Sequence, residues 1–107
     1  MRLTSQQIDH INMAAREVFS TAVDVRLFGS RLDDGKRGGD IDLLVEPAQS
    51  LTAEEIVSRR QRFIARLYQR LGEQRIDVLI APVGLRDDRA VVEVARKEGQ
   101  YLLRGIA

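Results

Sequence analysis

A chain of 107 residues with 44% apolar and 31% charged residues has room for one compact domain, and this balance excludes a disordered segment. No apolar run approaches the ~20 residues of a spanning helix. The absence of cysteine excludes disulfides and thiolate metal sites, and the single histidine argues against zinc. With 17 basic and 16 acidic residues the net charge of +1 gives no push toward nucleic acid or an anionic membrane.

Residues 1–7 turn polar at once, with no apolar leader, which predicts a cytoplasmic protein. Thr4 and Gln7 have the spacing of a capping box, and Ile8, Ile11, Ala15, Val18 and Phe19 recur at helical intervals behind it. A first strand is predicted at 23–28, where Val23, Val25 and Leu27 alternate with Asp24 and Arg26, and it runs straight into Gly29-Ser30. Residues 31–39 read as a charged, glycine-rich connection. A second strand follows at 40–46, stopped by Pro47. Thr52 and Glu55 form a second capping box. The long helix behind it has Ile56, Phe63, Ile64, Leu67, Tyr68 and Leu71 as its core face and Gly72 as its end. The third strand is predicted at 75–80, and a last helix from Asp87 or Asp88 to Glu98. The tail 100–103 is apolar enough to dock as a short edge strand. No repeat or linker divides the chain. The order α-β-β-α-β-α predicts an α/β (α+β) domain, a small mixed sheet with helices packed mainly on one face.

Asp40 and Asp42 lie two apart on a predicted strand, so both project from one face with Cα atoms ~6.5–7 Å apart. Ile41, Leu43 and Val45 then point the other way, toward the helices. Folding has no need of two carboxylates side by side. A divalent cation between them makes the arrangement favourable, because hard oxygen ligands suit Mg²⁺. The same parity puts Asp77 opposite Ile76, Val78 and Ile80. If the second and third strands are neighbours, three carboxylates converge, a set suited to two cations ~3.5–4 Å apart that clamp a phosphoryl group. Gly29 permits a sharp turn at the end of a strand, and Ser30 with the following backbone N–H groups can face phosphate oxygens. Arg31, Lys36 and Arg37 add positive charge nearby.

Gly29-Ser30, nine intervening residues, Asp40-Ile41-Asp42-Leu43 and a later strand carboxylate at Asp77 resemble the nucleotidyltransferase superfamily that includes DNA polymerase β. At this length the chain is similar to the minimal nucleotidyltransferase (MNT) proteins, the resemblance running from about Val23 to Leu103. It implies a polymerase β-like nucleotidyltransferase fold with residues 1–107 as a single minimal domain. It also implies transfer of AMP from ATP to a hydroxyl with Mg²⁺. Asp40, Asp42 and Asp77 are then the catalytic metal ligands, and Gly29, Ser30 and Arg31 hold the triphosphate. The implied partner is an all-helical HEPN toxin, one of whose tyrosines is adenylylated, with this chain as the antitoxin. Two other readings stay open: an antitoxin that only occludes its partner, and nucleotidylation of a small molecule within a larger complex. Self-association is left open, and direct nucleic-acid binding is not expected.

The remaining features have plainer readings. Arg59, Arg62, Arg66 and Arg70 line one side of the long helix, as a solvated face or else as a docking face for an acidic partner helix or for RNA. Arg60 falls inside the apolar stripe, with only snorkelling to account for it. His10 lies off the first helix's stripe and is expected in solvent. Tyr101 fits either core or interface.

Overall fold

The computed structural model describes residues 3–29 and 40–106. Helix α1, Ser5–Phe19, is capped reciprocally as the sequence predicts: the Gln7 backbone N–H donates to Thr4 Oγ1, and the Thr4 N–H to the Gln7 side chain. Strand β1, Val23–Phe28, is followed beyond residues 30–39 by β2, Ile41–Pro47. Pro47 is the last residue of β2 and not the residue after it. At a strand end its missing N–H goes unneeded, and its carbonyl accepts from Val83 N–H at 2.9 Å. Helix α2, Ala53–Leu71, carries the second capping box, at Thr52 and Glu55, and ends at Gly72. Strand β3, Ile76–Ile80, helix α3, Ala90–Glu98, and strand β4, Gln100–Arg104, complete the chain.

Helix α3 begins two to three residues later than its sequence suggests. Asp87 is the reason: its carboxylate accepts from the Arg89 backbone N–H at 3.0 Å and from the Arg89 guanidinium, a local turn that competes with helix. That ion pair holds the Asp87 carboxyl down at about 2.

The sheet order is β3-β2-β1-β4. β1 pairs antiparallel with both β2 and β4, while β2 and β3 run parallel, joined by the crossover through α2 that a parallel pair requires. One face carries Val23, Val25, Leu27, Ile41, Leu43, Val45, Ile76, Val78 and Ile80. These pack with Ile11, Ala15, Phe19, Phe63 and Leu67 of α1 and α2 into the main core, in which the rings of Phe19 and Phe63 meet edge to face. Two of the three helices thus share one face. The short α3 sits on the other, where Val92 and Ala95 bury Leu44 and Ala81 against Phe28 and Leu79. Among the described residues no helix is long and apolar enough to cross a membrane.

Several charged side chains are structural. Arg66 and Arg70 both pair with Glu17, and Arg59 donates to the Val18 carbonyl, so much of the arginine row seals the seam between α2 and α1. Arg62 is exposed. Arg60 reaches past the core to donate its Nε to the Val78 carbonyl at 2.8 Å. Tyr68 departs from its expected place in the core, standing 46% exposed. One position beyond Leu67 on a 3.6-residue helix, it is turned about 100° from that buried side chain. His10 is half-buried where solvent was expected, and its Nδ1 is enclosed without a hydrogen-bond partner among the described residues.

Candidate active site

The parallel pairing of β2 with β3 sets Asp42 directly beside Asp77 in register. Both have the parity that points away from the α1–α2 core, since their neighbours Ile41, Leu43, Ile76 and Val78 take the buried side. Asp40 sits just ahead of β2, half-exposed. Burial first, then the charges of Asp77 and Asp40, raise the Asp42 carboxyl above its ordinary value. The three carboxylates therefore feel one another at the same end of the sheet.

The end of β1 closes the other side of Asp42. Phe28 is its register partner, and the chain turns at Gly29 with φ +78°. A Cβ built at Gly29 would land on the Asp42 carboxylate oxygen, so only glycine lets the turn lie against that group. Ser30 and Arg31, along with Lys36 and Arg37, lie outside the described residues.

On the β3 side a cleft of about 310 Å³ is lined by Asp40, Tyr68, Arg75, Ile76 and Asp77. Next to it, a hollow of about 640 Å³ is lined by Tyr68, Glu73, Gln74 and Arg75. Tyr68 and Arg75 are common to both. The sequence reading assigns Tyr68 to the core and gives Arg75 no role. Only the place where α2 ends relative to β3 brings them to the carboxylates, and periodicity carries no such information.

Among the described residues no three carboxylate, imidazole or thiolate groups are gathered tightly enough to hold a metal ion as they stand. The donor chemistry nonetheless suits a hard divalent cation: three carboxylates, two of them in direct register.

A second charged cluster lies on the same face of the sheet, farther along β2. Glu46, 4% exposed, accepts from Arg26 Nε at 2.7 Å and from Arg96 Nε at 2.9 Å. Arg26 also donates to the Tyr101 hydroxyl and the Arg96 carbonyl, both at 2.6 Å, and the guanidinium groups of Arg26 and Arg104 lie over the Tyr101 ring. Each charge here is consumed internally, which makes the cluster a brace between β1, β2, α3 and β4. No protein-family model matches the chain, and no curated protein matches it.

Proposed function

We propose that this domain is a metal-dependent nucleotidyltransferase that moves AMP from ATP to a hydroxyl acceptor. The observation that carries the reading is the register of Asp42 with Asp77, with Asp40 close by and the Gly29 turn set against Asp42. A structural role for two adjacent like charges is hard to supply, whereas phosphoryl chemistry needs such a set. Asp40, Asp42 and Asp77 would hold Mg²⁺, which when bound neutralises phosphate charge and polarises the transferred group. Gly29 brings the backbone close to the nucleotide, and by resemblance Ser30 and Arg31 hold its β- and γ-phosphates. Asp77, on the strand farther from Gly29, would orient the acceptor hydroxyl and help draw off its proton.

The resemblance to minimal nucleotidyltransferases supplies the biological role in this proposal. The acceptor is a tyrosine of a HEPN-type toxin, and the domain works in the cytoplasm as the antitoxin that silences its partner by modification.

Incubation of the chain with Mg²⁺, ATP and the protein encoded beside it, read by mass spectrometry for a gain of AMP on the partner, tests the reading. Transfer is expected from the wild type and should fall at least about 100-fold in Asp42→Asn or Asp77→Asn, since loss even of an outer partner of a metal ligand costs 10–100-fold. Silencing of the partner without any mass gain, equally by wild type and both variants, would establish simple occlusion instead.

A further inference from the structure

The sheet order separates the two sides of the carboxylate row. Gly29 ends β1 and lies against Asp42 from one side. The cleft holding Tyr68 and Arg75 lies at the β3 end of the row, with Asp77 and Asp40 in its wall. In-line displacement at phosphorus needs the attacking and leaving oxygens on opposite sides of the transferred group. With the leaving phosphates at the Gly29 turn, the attacking hydroxyl must enter from the β3 side. An exposed aromatic ring and an exposed guanidinium occupy that entrance.

We propose that Tyr68 and Arg75 form the acceptor subsite, with Tyr68 packing against the phenol ring of a tyrosine presented by another polypeptide and Arg75 setting its positive charge beside the phenol oxygen. This rests on the nucleotide-transfer reading above. The described walls of the cleft offer carboxylates as the only bases, with no imidazole or thiolate. Carboxylates are weak bases, so they favour an acidic hydroxyl. A phenol, ionising near ~10, is far more acidic than an aliphatic alcohol, and an adjacent guanidinium favours its anion further. Ring-on-ring packing adds selectivity for an aromatic acceptor. The hollow of about 640 Å³ beyond Tyr68 leaves room for the chain that bears the ring. In the step itself the phenol oxygen bonds to the α-phosphorus of ATP, and the bond from that phosphorus to the bridging oxygen breaks. Pyrophosphate leaves, and the hydroxyl proton passes by way of Asp77 to solvent.

The test uses the wild-type chain with Mg–ATP and two free probes, N-acetyl-tyrosinamide and N-acetyl-serinamide, following pyrophosphate release and the AMP adduct. The tyrosine probe should be modified and the serine probe should not. Tyr68→Ala should raise KM for the tyrosine probe about tenfold, the upper end of an aromatic pair's worth, while kcat and the calorimetric affinity for Mg–ATP hold. Tyr68→Phe should restore the wild-type KM, and Arg75→Gln should lower kcat for the phenol with Mg–ATP affinity intact. An unchanged KM in Tyr68→Ala overturns the subsite, as does a parallel loss of Mg–ATP affinity, which would put Tyr68 on the nucleotide side. A wild type that binds Mg–ATP and leaves the tyrosine probe untouched also overturns it. A wild type that binds no Mg–ATP instead removes the transfer reading itself, and the subsite with it.

Discussion

Asp42 is held in place by its neighbours and disfavoured by them at once. Asp77 faces it across the parallel ladder, Asp40 adds a second like charge, and the Gly29 backbone closes off solvent on the third side. Because its carboxyl is raised above the ordinary value, the charged form of Asp42 costs the folded protein stability when no metal is bound. Asp42→Asn removes the charge and keeps the shape. At neutral pH in a chelator the variant should melt roughly 2–4 °C above the wild type, the effect of relieving about 0.5 kcal/mol in a domain of this size. Added Mg–ATP should reverse the order by stabilising the wild type alone. A variant that melts well below the wild type in the chelator would mean that Asp42 has a structural partner.

At the level of elements, the brace around Glu46 ties β1, β2 and β4 to α3 on one face of the sheet. Glu46 receives Arg26 from β1 and Arg96 from α3, and Arg26 in turn reaches Tyr101 on β4. Truncating Glu46 to alanine strands two guanidinium groups in a largely desolvated place. The expected loss is about 3 kcal/mol, the low end for a broken buried pair because Arg96 is partly solvated, and it should lower the melting temperature by more than ~10 °C. A fall of only a degree or two would show that water replaces Glu46 without penalty. The elements themselves were legible: both capping boxes, all three β1–β3 strands and the docking tail follow from spacing and alternation. The brace was not, because Glu46, Arg26 and Arg96 look like ordinary solvent-facing charges until α3 covers that face. Arg60 is a similar case, since its partner is a carbonyl and carbonyls leave no mark in a sequence. The carboxylate triad was legible because parity alone puts Asp42 and Asp77 away from the core, whereas the Tyr68–Arg75 wall depends on where a helix ends in space.

For the whole molecule, the β3 edge of the sheet is covered by arginine side chains. Arg75 and Ala81, which flank β3, bond to β2, so the alternate carbonyls of Val78 and Ile80 face outward. Arg60 covers the first at 2.8 Å and Arg89 the second at 2.9 Å. An edge with two of its outward acceptors already taken makes a poorer template for another strand. Arg60→Leu bares the Val78 carbonyl beside an apolar side chain and should produce concentration-dependent self-association in sedimentation velocity, absent from the wild type. A variant that stays as dispersed as the wild type would show that Arg89 alone suffices to close the edge.

The partner of β1 on its other side is β4, the last strand of the fold, whose chain is made long after β1 itself. At about 5–20 residues per second, the stretch between the two takes the ribosome roughly 4–15 s. Throughout that interval a nascent β1, rich in Val23, Val25 and Leu27, has one ladder unmatched. The carboxylates of β2 and β3 can find their register before β4 emerges, so the carboxylate end of the sheet is assembled while the molecule is still a three-stranded intermediate. Birth order thus makes the sticky side of β1 a matter for chaperones during synthesis, and a slow codon run ahead of residue 100 would lengthen that exposure without altering the finished protein.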